Sequence, residues 1–398
     1  GELDSSTVSF SGSGSDGDGT ISEYKWISSI DGDLSNSASF SKTDLSFGNH
    51  TITFRVKDND GVWSANVTSW VDIRKSPDWE SGTGSAYSTA ISADGEYLAV
   101  GGIQDDKVYL FGKNSSSPIW SYETGGIINS VAISADGEYI VAGSRDDKAY
   151  LFSKNSSTPI WNFESDDWID NVAISANGNL IAVSNGLSDQ LILFSKNNNT
   201  PIWTKDTSGA VKSLDISADG KYVVAGTSHS KVLLFNSESS SPIWSYSAGG
   251  WVVSVSVSAN GEDIVALSQD GEVYLFDKDS NTPEWNYDTV SGNVGEGAVT
   301  VSEDGKYIAV GTDEWFNDGT VVKLVCFQKD SSEPIWQYSI TNEQASFYSL
   351  SISADGKYLA AGFEQGDGVM LFSNDVSRPS ILPYGPRSGT DTLLNTTL

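Results

Sequence analysis

The chain has 398 residues, more than one ordinary hydrophobic core accommodates, and this length suits two domains. Its formal net charge is −30, from 53 acidic and 23 basic side chains. That balance argues against nucleic acid or an anionic membrane as a partner, because phosphate binding requires clustered Lys and Arg. No run of residues is long and apolar enough for a direct membrane span. Loops rich in Ser, Asn, Thr and Gly, together with few lysines, favour an extracellular or cell-surface location over the cytosol.

Residues 1–75 carry no repeat and show the pattern of short β-strands. Residues 51–56 and 67–73 alternate apolar and polar side chains, as strands with one buried and one solvated face do. Clusters of turn-forming residues lie at 14–19, 30–33 and 58–61. Short strands at this spacing predict a small antiparallel β-sandwich.

The motifs of this region resemble those of the polycystic kidney disease (PKD) type of Ig-like domain. They are DGDGTI at residues 16–21, YKW at 24–26 and GNHTITFRVKDNDG at 48–61. The resemblance implies an Ig-like β-sandwich that serves as an extracellular spacer or adhesion module. One departure is that WISSIDGD stands at residues 26–33, where the family usually has WDFGDG. The region is therefore similar to the looser PKD-like modules.

The Asp-x-Asp-Gly turns of this region are candidates for a calcium site. Carboxylates that converge around a tight turn supply the hard oxygen ligands that Ca²⁺ prefers. The candidate ligands are Asp16, Asp18, Asp58 and Asp60. The alternative is that Asp and Gly are present only because they form turns well.

A repeat occupies residues 76–373. Its Ser-Ala-Asp-Gly core, with small variations, begins at Ser92, Ser134, Ser175, Ser217, Ser258, Ser302 and Ser353. A tryptophan recurs with it at Trp79, Trp120, Trp161, Trp203, Trp244, Trp285 and Trp336. Seven copies of each marker at a period in the low forties predict an all-β fold in which a seven-bladed β-propeller follows the small sandwich.

Each repeat predicts four strands, a to d, and the two chain ends predict how the ring closes. In the second copy, strands a to d cover residues 129–134, 139–143, 148–152 and 160–164. The Ala-Asp-Gly step forms the a–b turn, and the tryptophan of strand d caps the crevice between adjacent blades. Because Trp79 precedes the first a-b-c set and none follows the last, residues 78–83 are expected to complete the last blade.

Two repeat families resemble these motifs. SVAISADG with YIVAGS (residues 130–144) resembles the WD repeat, without its Gly-His and Trp-Asp dipeptides. KAYLF and PIW, which begin at residues 148 and 159, resemble the quinoprotein (PQQ-type) repeat. Quinoprotein dehydrogenases usually have eight blades and often vicinal cysteines, so their redox activity is not carried over. The combination of PKD-like domain and seven-bladed propeller is similar to archaeal surface-layer and cell-surface proteins.

The d–a and b–c loops are expected to share one face, where the repeats diverge. Divergent loops on a common frame are typical of binding faces. Exposed aromatic residues beside carboxylates suit a sugar ring or a protein partner. The candidate ligand-binding residues are Trp168 and Trp251 in d–a loops and Asp313, Glu314, Trp315 and Phe316 in a b–c insertion at 313–318. The alternative is that the aromatic side chains fold back as caps over the blades.

Two further sets of residues bear on modification and redox chemistry. Asn-x-Ser/Thr triplets, candidates for glycosylation, begin at Asn49, Asn66, Asn114, Asn155, Asn198 and Asn395. The single cysteine, Cys326, lies in an apolar strand and is expected to be a buried structural thiol. Because the chain begins at Gly1 rather than Met, we interpret it as a mature or excised fragment.

Motifs for catalysis are scarce. His50 and His229 are the only histidines, neither lies in a recognisable Ser/His/Asp pattern, and no His/Cys metal cluster is present. We therefore expect a non-enzymatic surface protein whose propeller binds protein or glycan. The alternatives are a self-assembling surface-layer or filament subunit and a secreted polysaccharide-active or quinoprotein-like enzyme. Residues 374–398 contain three prolines and no periodicity, which is typical of an extended tail or linker.

Overall fold

A computed structural model describes residues 7–46, 48–73, 81, 86–186, 188–289, 294–316, 319–342, 346–364 and 369–373. The regular secondary structure in these residues is entirely β-strand, which confirms the predicted all-β class. The described residues fall into two compact units, which lie within residues 1–78 and 79–384. Among these residues, no helix has the length and apolarity needed to cross a membrane.

The first unit contains two antiparallel sheets. Strand β1 (Val8–Ser11) pairs with β4 (Ser39–Lys42). The second sheet has the order β3 (Gly32–Ser35), β2 (Ile21–Ser28), β5 (Gly48–Asp58) and β6 (Val67–Ile73). Both sheets contribute to one core, whose buried members are Phe10, Trp26, Ile52, Phe54 and Val56. Two packed sheets agree with the predicted sandwich, and the PKD-like assignment stays a prediction.

The second unit contains seven antiparallel sheets in chain order, six of four strands and one in which three strands are described. The first two are β7 (Ala86–Ile91), β8 (Tyr97–Gly102), β9 (Lys107–Gly112), β10 (Trp120–Glu123); and β11 (Ile128–Ile133), β12 (Tyr139–Ser144), β13 (Lys148–Ser153), β14 (Trp161–Glu164). The next two are β15 (Ile169–Ile174), β16 (Leu180–Asn185), β17 (Gln190–Ser195), β18 (Pro201–Asp206); and β19 (Val211–Ile216), β20 (Tyr222–Thr227), β21 (Lys231–Asn236), β22 (Pro242–Ser247). The last three are β23 (Val252–Val257), β24 (Asp263–Ser268), β25 (Glu272–Asp277), β26 (Trp285–Asp288); β27 (Val294–Val301), β28 (Tyr307–Phe316), β29 (Gly319–Gln328), β30 (Pro334–Asn342); and β31 (Ser346–Ile352), β32 (Tyr358–Glu364), β33 (Val369–Ser373).

Successive sheets pack face to face, as propeller blades do. The first strand of each sheet contacts the first strand of the next, from β7 through to β31. A separate apolar cluster fills each space between neighbouring sheets; between the second and third sheets it includes Leu151, Ile181 and Phe194. The middle strands are therefore covered on both faces, which explains why residues 140–144 have no polar alternation.

The repeated Ser-Ala-Asp-Gly sequence makes the a–b turn and also joins it to the next sheet. The Ser134 hydroxyl donates to Asp136 Oδ1 at 2.7 Å and accepts the amide of Tyr139 at 3.0 Å. Gly137 has a φ of +67°, which favours glycine. The amide of Ala135 donates to the carbonyl of Ala176 in the next sheet at 2.9 Å, and four other turns repeat this bond. The motif thus ties adjacent blades together.

The repeated tryptophan of the fourth strand bridges two sheets, as predicted. The Trp161 ring lies 5.4 Å from that of Phe194 in the next sheet. Its indole nitrogen donates to the carbonyl oxygen of Lys196 at 3.0 Å. Trp120, Trp203, Trp244 and Trp285 make the same pair of contacts.

The sixth sheet differs from the prediction. The segment 313–318 was expected to be a b–c loop, but residues 313–316 belong to β28 and pair with 319–322 of β29. The insertion therefore lengthens a hairpin, because antiparallel pairing satisfies backbone groups that a long loop would leave to water. The neighbouring strands are also long, since β27 begins at Val294 and β30 ends at Asn342.

Some predictions fall on residues that the structure does not describe. Of the closing segment 78–83, only Ser81 is described, and it lies in no strand. The tail at 374–398, which includes Asn395, is also outside the described residues. Ring closure by residues 78–83 therefore stays a prediction. Cys326, by contrast, is buried within β29, as expected.

Candidate functional site

The d–a and b–c loops of the second unit lie side by side at one end of the sheets. The Ser165 amide in a d–a loop donates to the carbonyl of Asp147 in the b–c loop of the preceding sheet, at 2.7 Å. The Gly186 amide in the following b–c loop donates to the carbonyl of Trp168 at 3.1 Å. Equivalent bonds recur around the sheets, so these loops form the common surface that the sequence predicted. We call it the loop face.

Two indoles project from the loop face. Trp168 is 48% exposed and Trp251 is 49% exposed, whereas the interblade Trp161 is 8% exposed. Backbone bonds hold the two exposed residues in place, because their carbonyls accept the amides of Gly186 and Gln269. The indoles do not fold back as buried caps. Their accessibility agrees with the predicted binding role, which remains a prediction.

Each exposed indole lies beside a cation. The Arg145 guanidinium carbon is 5.1 Å from the centre of the Trp168 ring. The Lys212 ammonium nitrogen is 5.7 Å from that of Trp251. Contacts at this distance are electrostatically favourable, because the face of an indole carries partial negative charge. Neither cation was predicted from the sequence.

A polar chain joins the first indole–cation pair to Asp170. Arg145 Nε donates to Asn129 Oδ1 at 2.8 Å, and Asn129 Nδ2 donates to Asp170 Oδ1 at 3.2 Å. Burial raises the pKa of the Asp170 carboxyl; Lys212 and Arg145 oppose this increase, and Asp167 adds to it. Asp170 is therefore an incompletely solvated carboxyl that interacts electrostatically with both cations. We call Trp168, Arg145, Asn129, Asp170, Lys212 and Trp251 the rim cluster.

A β-bulge occurs at an equivalent position in the three sheets that supply Asn129, Asp170 and Lys212 to the rim cluster. Asn129, Asp170 and Lys212 occupy the same position in β11, β15 and β19, and each is omitted from the pairing with its neighbouring strand. A bulged residue re-aims its side chain relative to the regular alternation. In the sequence, this position changes from Asn to Asp to Lys between the repeats, while its neighbours stay similar. That variation was the signal from which these residues could have been identified.

The predicted site residues of the sixth sheet are placed differently. The side chain of Asp313 is fully buried, because its strand lies inside the paired sheet, so the prediction of an exposed loop carboxylate is wrong. Glu314, Trp315 and Phe316 follow it in β28, and their side chains lie outside the described part of the structure. Their proposed binding role stays a prediction.

The two Asp-rich turns of the first unit lie next to each other. The Thr20 amide donates to Asn59 Oδ1 at 2.7 Å, and the Asn59 amide donates to the Thr20 carbonyl at 3.0 Å. Asp58 Oδ1 accepts the Val62 amide at 2.8 Å, a turn-stabilising role. Within the described residues, no group of three or more His, Cys, Asp or Glu side chains is arranged to hold a metal ion. Calcium binding by Asp16, Asp18, Asp58 and Asp60 remains a prediction.

The described sequons are accessible. Asn66, Asn114, Asn155 and Asn198 are all exposed, the last three in c–d turns on the side opposite the loop face. Asn49 lies in β5, and its side chain is outside the description. This placement is compatible with glycosylation.

The fold brings a serine, a histidine and an aspartate together in the first unit, but without the geometry of a catalytic triad. Ser28 Oγ and Asp31 Oδ2 both approach His50 Nδ1, at 2.6 and 3.7 Å. His50 Nε2 is bonded instead to the backbone carbonyl of Ser46, at 2.6 Å. A triad requires the nucleophile and the acid on opposite ring nitrogens. Because His50 is also fully buried, this group has the character of a structural network.

Comparison with known proteins places the propeller in a family. A PQQ-type family model described as outer membrane protein assembly factor BamB matches residues 61–250 and 188–350. The two matches together span residues 61–350, which is well over half of the 398-residue chain. The chain belongs to this family. The PQQ-type resemblance of the repeats is thereby confirmed, and the BamB family model covers the six four-stranded sheets of the second unit almost completely.

Solved structures support the same fold. The β-propeller domain of Cps50 (Swd1) from Myceliophteria thermophila matches this BamB-family chain with a TM-score of 0.59 and 14% sequence identity. The match covers 73% of this chain and 97% of that domain. At this identity the similarity shows the β-propeller fold alone. No match was found among the curated proteins.

Proposed function

We propose that this protein is a non-enzymatic interaction scaffold that binds a protein partner through the rim cluster of its loop face. In this proposal the second unit is a closed seven-bladed propeller and the first is a PKD-like spacer. The protein acts outside the cell or on its surface. Propellers support such roles because a rigid stack of sheets presents variable loops at a fixed geometry.

The contrast between two sets of tryptophans carries the proposal. The interblade indoles of Trp120, Trp161, Trp203 and Trp244 are at most 9% exposed and bond to backbone carbonyls, so their structural role is complete. Trp168 and Trp251 have no such role and leave about half of their surface in water. Large indoles exposed on a rigid surface are the residues that contribute most to protein interfaces when a partner covers them.

The proposed location has separate support. The exposed sequons in the c–d turns lie away from the loop face, so attached glycans would leave the rim cluster accessible. Mass spectrometry of the secreted or surface-bound protein tests this part of the proposal, since glycosylation at Asn114, Asn155 or Asn198 requires export.

Site-specific photo-crosslinking in the native host tests the function. Trp168 and Trp251 are replaced, one at a time, by p-benzoylphenylalanine. Ile119 and Ile160, which are 52% and 48% exposed at the opposite end of the sheets, are the matched control positions. Irradiation is expected to give a discrete protein adduct from the two rim positions and none from the controls.

Other outcomes identify the competing functions. An adduct of two copies of this 42.5 kDa chain indicates a self-assembling subunit. Binding to an oligosaccharide array that is lost in Trp168→Ala, without a protein adduct, indicates a glycan receptor. Turnover of a polysaccharide, or of an alcohol with added quinone, that disappears on replacement of a single carboxylate indicates an enzyme. Any of these results contradicts the proposed function.

A further inference from the structure

The rim cluster contains two cations that no described carboxylate neutralises by direct contact. The Arg145 guanidinium makes one hydrogen bond among the described residues, from Nε to Asn129, and its two terminal nitrogens make none. Lys212 is exposed and forms neither a hydrogen bond nor an ion pair with a described residue. By contrast, Lys154 pairs with Glu138 at 3.0 Å, and Lys278 pairs with Glu262 at 2.9 Å. Although the chain is strongly acidic, neither Arg145 nor Lys212 forms an ion pair with a described carboxylate.

The orientation of Arg145 is fixed before any ligand binds. Its Nε bond to Asn129 and its position over the Trp168 ring restrain the guanidinium from two directions. Asn129 is restrained in turn, because its amide nitrogen donates to Asp170 Oδ1 and to the Ile169 carbonyl. A guanidinium held in this way presents its terminal N–H groups as a fork that matches the two oxygens of a carboxylate.

We propose that the rim cluster recognises an acidic peptide segment of the partner protein, in which a carboxylate side chain lies next to an apolar one. This inference rests on the proposed function and adds the chemistry of its partner. Arg145 and Lys212 bind carboxylates, and the exposed surfaces of Trp168 and Trp251 cover the neighbouring apolar side chains. Each indole–cation pair thus binds one carboxylate side chain and one apolar side chain of the peptide.

Three features favour a peptide over a glycan as the occupant. One ring face of each indole already contacts a cation, which restricts the flat stacking platform that a sugar ring requires. The Asp170 carboxylate interacts electrostatically with both Lys212 and Arg145, so a continuous polyanion would meet a like charge near its two contacts. A peptide carries its charges on separate side chains and can present two acids with a neutral residue between them.

Fluorescence anisotropy with two matched, labelled peptides tests the inference. The probes are Ac-Gly-Ser-Glu-Phe-Glu-Phe-Gly-Ser and the same peptide with Gln in place of both Glu residues. The wild-type protein is expected to bind the Glu peptide about tenfold more tightly than the Gln peptide. This ratio corresponds to about 1.4 kcal/mol, which is the order of the difference between a charge-assisted and a neutral hydrogen bond. Each of Arg145→Gln and Lys212→Gln is expected to reduce this preference severalfold.

Control variants separate the inference from an effect on folding. Lys221, at 5.2 Å from the Tyr222 ring, is a matched cation–aromatic pair in an a–b turn on the opposite side, and Lys221→Gln should leave binding unchanged. Arg145→Lys keeps the charge but removes the fork and should give an intermediate preference. Melting temperatures of all variants are measured in parallel, and only variants within about 2 °C of wild type are compared.

The outcomes distinguish this inference from the proposed function. Equal binding of both peptides, lost in Trp168→Ala and Trp251→Ala, overturns the carboxylate recognition and leaves protein binding intact. Binding of neither peptide overturns the inference, and the absence of crosslinked protein at Trp168 and Trp251 overturns the proposed function as well. Tighter binding of a uronic-acid oligosaccharide than of the Glu peptide overturns the choice of a peptide.

Discussion

The indole nitrogen of Trp203, in β18, lies 2.8 Å from the backbone carbonyl oxygen of Ser237, which directly follows β21 of the next sheet. The Trp203 ring also lies 5.6 Å from that of Phe235. One side chain therefore contributes both a hydrogen bond and apolar area across an interface between blades. The same residue type at the same position repeats this connection around the second unit, which explains why the tryptophan recurs with the period of the blades.

This relationship predicts graded losses of stability. Trp203→Phe removes the hydrogen bond and part of the ring, and should lower the free energy of unfolding by about 1–2 kcal/mol. Trp203→Ala also leaves a cavity between two sheets and should cost about 3–5 kcal/mol. Trp70→Ala, at a side chain that is 72% exposed, should change the value by less than about 0.5 kcal/mol. Guanidinium denaturation followed by far-UV circular dichroism measures all three, and equal losses at positions 70 and 203 would contradict the bridging role.

The a–b turn makes a second prediction, at Ser134. Its hydroxyl is fully buried and satisfies both the Asp136 carboxylate and the Tyr139 amide. Ser134→Ala should therefore lower stability by about 1–3 kcal/mol, since a buried amide loses its partner. Ser156→Ala, in an exposed c–d turn, is the control. Hydrogen exchange of the Tyr139 amide is the direct readout; unchanged protection there would refute the assignment.

The repeat allowed the blade architecture to be predicted closely. Strand c of the second repeat was expected at residues 148–152 and is observed at Lys148–Ser153, because a run of apolar residues bounded by turn signals is specified locally. The insertion at 313–318 was misassigned, since its polar residues are typical of loops and only long-range pairing makes them strand.

The rim cluster could be predicted only in part. Trp168 and Trp251 were found because large aromatic residues in diverging loops are conspicuous in the sequence. Arg145 and Lys212 were not found, because their contacts join residues that lie 23 and 39 positions apart in the chain. A bulge brings Asn129 and Asp170 into the same group, and a bulge leaves little trace in the order of residue types.

A buried carboxyl predicts a specific pH dependence. Burial raises the pKa of Asp215 to about 6, although its oxygens accept bonds from the amides of Val257 and Ile216 and from Ser256. The folded state therefore holds more protons than the unfolded state between about pH 4 and pH 6, so this group stabilises the fold less as the pH rises through that range.

Asp215→Asn should remove this contribution and keep an oxygen for the same amides. The melting temperature of the wild type relative to Asp215→Asn is expected to be highest near pH 4 and to fall by pH 7. Hydrogen bonds within the turns lower the pKa of carboxyls such as Asp136 and Asp304, so these groups stabilise the fold more as the pH rises. They are present in both proteins, so their effect on the melting temperature cancels in the comparison. A difference that stays constant from pH 4 to pH 7 would show that Asp215 does not titrate there.

The negative charge of Asp170 is expected to weaken the binding of an acidic peptide to the rim cluster. Asp170→Asn keeps an oxygen that accepts from Asn129 Nδ2 but removes the negative charge near Arg145 and Lys212. Binding of the Glu peptide at pH 7 should therefore tighten by about two- to fivefold, the effect of a partly screened charge. The same anisotropy titration measures it, with the Gln peptide as the control. Weaker binding of the Glu peptide would mean that the Asp170 carboxylate itself contacts the ligand.

Closure of the propeller is the remaining prediction, and its argument comes from spacing. Trp120 precedes Phe152 and Trp203 precedes Phe235 by 32 residues, and each pair stacks across two sheets. Trp79 precedes Phe111, which is 1% exposed in the first sheet, by the same interval. If residues 78–83 complete the last blade, Trp79→Ala should destabilise the second unit about as much as Trp120→Ala, by about 3–5 kcal/mol.

Two measurements check the closure. Denaturation compares Trp79→Ala with Trp120→Ala and with Trp63→Ala, whose ring packs on Arg55 in the first unit and serves as the control. Hydrogen exchange then compares amides of the last sheet's third strand, residues 369–373, between wild type and Trp79→Ala. Faster exchange there is expected, because a three-stranded edge that loses its outer partner frays first. Normal stability and unchanged exchange in Trp79→Ala would contradict closure by residues 78–83.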